Sequence, residues 1–286
     1  MAWLEWTGIA LALAVATVAA LSAYGAARWN GATRRLLTKL EAGRESPARA
    51  SHVCRDLDPL PAPVQRYFRA VLAHGQPIIA AANVEHEGTF NLGEDSDRWA
   101  GFASTQRVVT RRPGFVWDGR IRILPGLPVR VHDAYVAGEG ILHAAALGLF
   151  TLMDLRGTGE VARGELMRYL AEAAWYPTAL LPGGGVRWEP VDGRCARATL
   201  TDGSLSVELD FRFGEDGLIE TVRAEARGRT VKGEVVPTPW EGRWSGYRRR
   251  GGLLVPLSGE VAWLLPEGRK PYWRGTITAL SYEFAN

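Results

Sequence analysis

From Leu205 to Phe213 apolar and polar residues alternate without a break: Leu205, Val207, Leu209, Phe211 and Phe213 interleave with Ser206, Glu208, Asp210 and Arg212. A period of two puts one row of side chains on a buried face and the other in water, which is the pattern of a β-strand. Gly214–Gly217 (GEDG) reads as a turn and Leu218–Arg227 as the partner strand. Similar segments lie near 83–92, 98–110, 115–123, 128–138, 194–202, 230–236, 242–249, 254–264 and 272–284, mostly separated by Gly, Pro, Asn or Asp. Strands at hairpin spacing, without a helix between each pair, predict a mainly β (α+β) fold. Its centre is a large curled antiparallel sheet or half-barrel rather than a doubly wound parallel sheet.

Two segments follow the helical period instead. In LPAPVQRYFRAVL, Pro61 and Pro63 set up a helix start, and Val64, Tyr67, Phe68, Val71 and Leu72 share one face, predicting a short helix at 62–73. After Gly157-Thr158-Gly159, the pattern predicts an amphipathic helix from Glu160 to Trp175, ended by Pro177. Inserted between strands, it is placed to lie across the concave side of the sheet.

The N-terminus has no such periodicity. Thr7–Ala27 is 21 residues without a charge, enough helix to cross the roughly 30 Å of a hydrocarbon core. No basic residue precedes the run, which favours an uncleaved anchor over a signal peptide. Trp3 and Trp6 before it and Trp29 after it are expected at the headgroups. The expected organisation is an anchor at 1–29, a basic juxtamembrane linker at 30–58 with some helix over 33–41, and one β-rich domain at 59–286.

Composition sharpens this picture. The net charge of +3 is local: residues 28–49 carry six basic side chains against Glu41 and Glu45, while from residue 50 on 28 basic side chains face 28 acidic ones. A nucleic-acid module concentrates positive charge on its folded domain, so no nucleic-acid partner is expected. By the positive-inside bias the basic flank following the apolar run predicts a cytoplasmic domain, with the periplasmic or extracellular side as the alternative. Cys54 and Cys195 are too few for a metal cage or a disulfide framework and are expected as free thiols. Eleven Trp, against eight Tyr and eight Phe, is an excess that three interfacial residues do not remove.

The strings LPAPVQRYFR, VRVHDAYVAGEG, GELMRYLAEAAWYPTALLP, PTPWEGRW and GEVAWLLPEGRKPYWRG resemble a bacterial family of single-span membrane proteins of unknown function. The resemblance runs from about residue 58 to the C-terminus. At the level of fold it implies similarity to the half-barrel of lipoprotein-localisation factors, a curled sheet around a hydrophobic groove covered by helices.

Candidate chemistry is sparse. Motifs of zinc proteases, α/β-hydrolases and phosphate-cradling loops are absent, and no cofactor or metal is expected. In VRVHDAYV, His132 and Asp133 are adjacent and must leave opposite faces of a strand, so only one can line a groove. With Glu139 they are the candidates for acid–base work. In Glu85-His86-Glu87 the same alternation sends His86 away from the two carboxylates, which does not make a metal site. Glu165, Arg168, Glu172, Trp175 and Tyr176 on the inserted helix, with Trp240 and Trp263, are the candidates for binding a ligand in the groove. The expected function is a membrane-anchored protein that binds a lipid-like or amphiphilic ligand. The alternatives are an enzyme acting on a membrane-derived substrate and a docking module for another membrane protein.

Overall fold

The computed structural model describes residues 2–46, 51, 57–93, 96–124, 127–231 and 233–285. Cys54 and part of the expected linker lie outside them. Helix α1 (Ala2–Ala42) leads to α2 (Ala62–Val71) and then a meander of β1 (Ile79–Asn91), β2 (Trp99–Val109), β3 (Gly114–Leu124), β4 (Leu127–Val136), β5 (Glu139–Ala146) and β6 (Phe150–Gly157). Helix α3 (Glu160–Glu172) and short 3₁₀ turns connect to a second meander: β7 (Val186–Pro190), β8 (Cys195–Asp202), β9 (Leu205–Phe213), β10 (Ile219–Val231), β11 (Glu234–Arg250), β12 (Leu253–Leu265) and β13 (Gly268–Phe284).

All thirteen strands join one antiparallel sheet in the order β6-β5-β4-β3-β2-β1-β13-β12-β11-β10-β9-β8-β7. Its edges, β6 and β7, are consecutive in the chain, and α3 is what links them. The helix crosses the concave face, touching β4 and β5 on one side and β9 and β10 on the other. Leu166, Tyr169, Leu170 and Ala174 are buried there, on the face that the sequence predicts. The ends of the sheet curl toward α3 because its apolar face needs cover on both sides.

The concave face carries the main core, into which α2 contributes Val64, Tyr67, Phe68 and Val71. A separate small core lies on the convex face, where Leu40 packs on Ala81, Val109, Val116, Ala134, Val136 and Ile141. Both faces of β3 and β4 are therefore dry along part of their length.

The convex core corrects the reading of the N-terminal region. Helix α1 does not end at 29: it continues unbroken to Ala42 and lies on the sheet. Trp29 is not at a headgroup layer but is 2 % exposed, and its indole N–H donates to Asp118 Oδ1 at 3.0 Å. The physical reason is a stripe at helical spacing (Trp29, Thr33, Leu36, Leu37, Leu40) that finds an apolar patch on the sheet. At the start of this contact Gly25 runs against the β5–β6 turn, where a Cβ would stand 2.1 Å from the Leu147 carbonyl oxygen. Only glycine fits that approach. The first half of α1 is long and apolar enough to cross a membrane.

Candidate functional site

Alternation along the strands decides what the concavity holds. From β3 it receives Trp117, Ile121 and Ile123, from β4 Val129, Val131 and Asp133, and from β5 Leu142 and Ala144. The opposite wall brings Trp240 and Trp244 of β11, Val261 of β12, and Tyr272 and Trp273 of β13, with Trp175 from the turn after α3. The result is an apolar chamber of about 400 Å³, within the range of small-ligand sites. A second chamber, also about 400 Å³, shares Phe90, Leu92, Asp133, Leu142, Met153, Arg227 and Tyr272 with the first. It adds Glu160, Glu165, Arg229, Trp263 and Lys270. The two chambers form one groove, apolar at one end and polar at the other.

An ion cluster stands where they meet. Arg168 donates from Nη1 to Asp133 Oδ2 at 2.5 Å and from Nε to Glu172 Oε1 at 2.7 Å. Gln106 donates to the other Glu172 oxygen at 2.7 Å. The guanidinium lies 4.9 Å from the Phe115 ring centroid and 5.4 Å from that of Trp117, so its faces are covered by π-systems. Burial opposes its charge, but Glu172, Asp133 and Glu165 more than offset this and hold it protonated. Across the groove, Arg227 stands over Trp240 at 5.2 Å and approaches Glu165 at 3.8 Å. The Tyr272 hydroxyl accepts from Trp240 Nε1 at 2.8 Å.

Glu165 is buried, and burial, followed by the charge of Asp133, pushes its carboxyl well above the usual range. Asp133 Oδ1 and Glu165 Oε2 are both buried without a donor. A proton on Glu165 resolves both, since its O–H then donates to Asp133. Three indole N–H groups in the apolar chamber, those of Trp117, Trp175 and Trp244, are buried without an acceptor among the described residues. His86 also sits on the concave side, 4.8 Å ring to ring from Trp175. Burial, with Arg168 nearby, pushes its pKa down to about 3, so it is neutral. Glu85 and Glu87 leave on the other face, exposed.

The sequence-derived candidates divide. Asp133, Arg168, Glu172, Trp175 and Trp240 come together in the groove, and Trp263 lines its polar chamber, stacked on Tyr272 at 5.5 Å. Tyr176 does not reach it: its hydroxyl is buried and donates to the Tyr169 carbonyl at 2.7 Å. His132 lies on the convex face under α1, with Nε2 2.7 Å from Thr33 Oγ1. Glu139 starts β5 and pairs with Lys39 at 2.8 Å. His132, Asp133 and Glu139 are thus held apart by the sheet and do not converge on one substrate. The residues that sequence reasoning missed are Gln106, Arg227 and Tyr272. Glu165, grouped with Arg168 and Glu172 from the sequence, lines the polar chamber; the missed residues come from distant strands.

The family of unknown function DUF6920 matches residues 58–282. This chain belongs to that family. Among solved structures, the DUF6920 chain is similar to a DUF1329 family protein from Desulfovibrio piger at 12% identity and a TM-score of 0.39, covering 72% of this chain and 86% of that one. It is also similar to a LolA superfamily protein from Nitrosomonas europaea, at 11% identity and a TM-score of 0.30, over 71% of this chain and 86% of the other. A β-barrel-like DUF1849 protein from Brucella abortus matches at 8% identity and a TM-score of 0.23, over 72% and 99%. No curated protein matches the chain.

Proposed function

We propose that this protein is a membrane-anchored receptor for an amphiphile whose acyl part lies among the tryptophans of the apolar chamber. The observation that carries this reading is the groove itself: one end lined by Trp117, Trp175, Trp240, Trp244 and Trp273, the other by ionisable groups. Apolar burial at about 25 cal/mol per Å² would drive the tail in. The unpartnered indole N–H groups favour a ligand that carries oxygen acceptors at the head of its chain, as a fatty acid or an acyl ester does. In this reading the first half of α1 spans the cell membrane, and the basic flank beginning at Arg28 puts the domain on the cytoplasmic side.

Delipidated full-length protein should bind a fluorescent fatty acid in detergent, with lipid co-purifying in native mass spectrometry. Ala144→Trp, which fills the apolar chamber, should weaken binding about tenfold or more. Delipidated protein that takes up no probe, or Ala144→Trp binding as well as the parent, would overturn the assignment. A reporter fused after Asn286 tests the side of the membrane, and activity only outside the cytoplasm would reverse the orientation.

A further inference from the structure

We infer that the rim of the groove is a bilayer-docking surface, held against anionic lipid by α1, so that the groove opens onto the membrane rather than into bulk water. The inference rests on the anchor proposed above. Its geometry comes from register. Val129 pairs with Ala146, Ala146 with Phe150, and Arg122 with Pro128. Ile123, Leu127 and Phe150 therefore share one end of β3–β6 with the turn at Leu147–Leu149. That turn is where Gly25 touches the sheet, whereas Leu40 reaches Gly114 at the other end of β3. The part of α1 before Gly25 thus leaves the domain at the end where Ile123 and Phe150 stand.

Those rim residues are the wrong type for water. Phe150 and Leu152 are 59% and 61% exposed, and Ile123 and Leu127 40% and 41%. Ile123 and Leu152 also line the apolar chamber, so the exposed patch and the mouth of the groove are continuous. An aromatic marks the same level on the helix: Tyr24, 64% exposed, replaces Trp29 as the interfacial ring. From Trp3 to Tyr24 the helix measures about 32 Å, one hydrocarbon thickness.

Charge on the convex face fits the same partner. Asp118 and His132 face α1, so by alternation Arg120, Arg122 and Arg130 lie on that side, nearer the rim. Arg120 and Arg130 are direct cross-strand partners, a like-charge pair that disfavours the sheet unless an anion stands by. With Arg28 on the helix, the four make no ion pair among the described residues. Phosphate headgroups beside an inserted apolar rim would meet both requirements.

The test uses the full chain in vesicles that contain brominated acyl chains, with Cys54 and Cys195 replaced by Ser. A polarity-sensitive fluorophore at Phe150→Cys should be quenched about threefold or more compared with one at Ala137→Cys, in the β4–β5 turn at the far end of the same strands. Adding phosphatidylglycerol should raise quenching at 150 in the parent and much less in an Arg120→Gln, Arg130→Gln variant. Equal weak quenching at both positions overturns docking, and so does quenching indifferent to both lipid charge and the two arginines. Protein that does not float with the vesicles overturns the anchor and docking together. The same measurement on Ala144→Trp separates the two ideas: docking without ligand binding keeps the quenching at 150.

Discussion

The indole of Trp29 stacks on the imidazole of His132, ring centroids 3.9 Å apart and planes 15° from parallel. Around this pair Asp118 accepts from Trp29 at 3.0 Å and from Thr33 at 2.7 Å, tying helix α1 to β3 and β4. Trp29→Ala should cost about 3–5 kcal/mol, the range for a buried large aromatic. Thermal unfolding with limited proteolysis checks it: the chain near residues 28–46 should become cleavable before the rest of the domain. Burial pushes the Asp118 carboxyl up, but the nearby His132 ring, 3.8 Å away, and the hydrogen bonds from Thr33 and Trp29 outweigh that and hold it below its usual value. Its contribution is therefore present above the unfolded-state pKa of about 3.9, and lost only as pH falls through the lower folded value. Detachment of α1 should not occur at pH 5.

Gly25 tests the same contact by volume. Gly25→Ala places a methyl against the Leu147 carbonyl, and Gly25→Leu places a whole side chain there. Both should loosen the helix from the β5–β6 turn, the Leu variant more, at a cost of about 1–3 kcal/mol. Proteolytic cleavage as readily resisted by Gly25→Leu as by the parent would mean that the close approach is not maintained.

Arg168 is held by two carboxylates in a mostly buried site. Replacing it with Met leaves Asp133 and Glu172 without their cation and should destabilise the domain by about 3–5 kcal/mol. Adding Asp133→Asn and Glu172→Gln to Arg168→Met should recover much of that loss, because the uncompensated charges are gone. Urea unfolding of the single and triple variants measures both. A triple variant no more stable than the single one would show that the cluster acts through shape rather than charge.

Glu165 makes stability depend on pH in the opposite sense to Asp118. Its folded pKa is raised, by burial first and Asp133 second, so the folded state holds a proton that the unfolded chain releases near pH 4.3. That stability is complete below about pH 4.3 and declines as pH rises toward the folded value. Glu165→Gln keeps a donor for Asp133 and does not titrate. Between pH 5 and pH 8 the parent should lose more unfolding free energy than Glu165→Gln; parallel curves would mean that Glu165 is ionised throughout.

What was legible in the sequence was what strict periodicity writes locally. Leu205–Phe213 and Glu160–Trp175 each announce their element and buried face. Strand β6 does not, because as an edge strand with both faces largely exposed it has no reason to alternate. The convex core was hidden for a different reason. Alternation assigns residues to two faces but does not say that both are covered. Ala134 and Val136, apolar on the same side as His132, were the sign that this side of β4 is dry as well. The polar end of the groove was legible only in its helical part, since Arg168 and Glu172 share a turn. Arg227 and Tyr272 reach it from β10 and β13, a proximity set by curvature that no local pattern records.

The unbroken course of α1 has a mechanical consequence. A helix clamped along its second half to the sheet offers no joint between its apolar first half and the domain, so the two move as one rigid piece. With that first half in a bilayer, as proposed, such a molecule would be a fixture rather than a shuttle: it could turn about the membrane normal and drift in the plane, but could not swing a bound ligand across a gap. On that reading, whatever the groove accepts would arrive and depart within reach of the same membrane surface, and any protein exchanging ligand with it would come to the bilayer to do so.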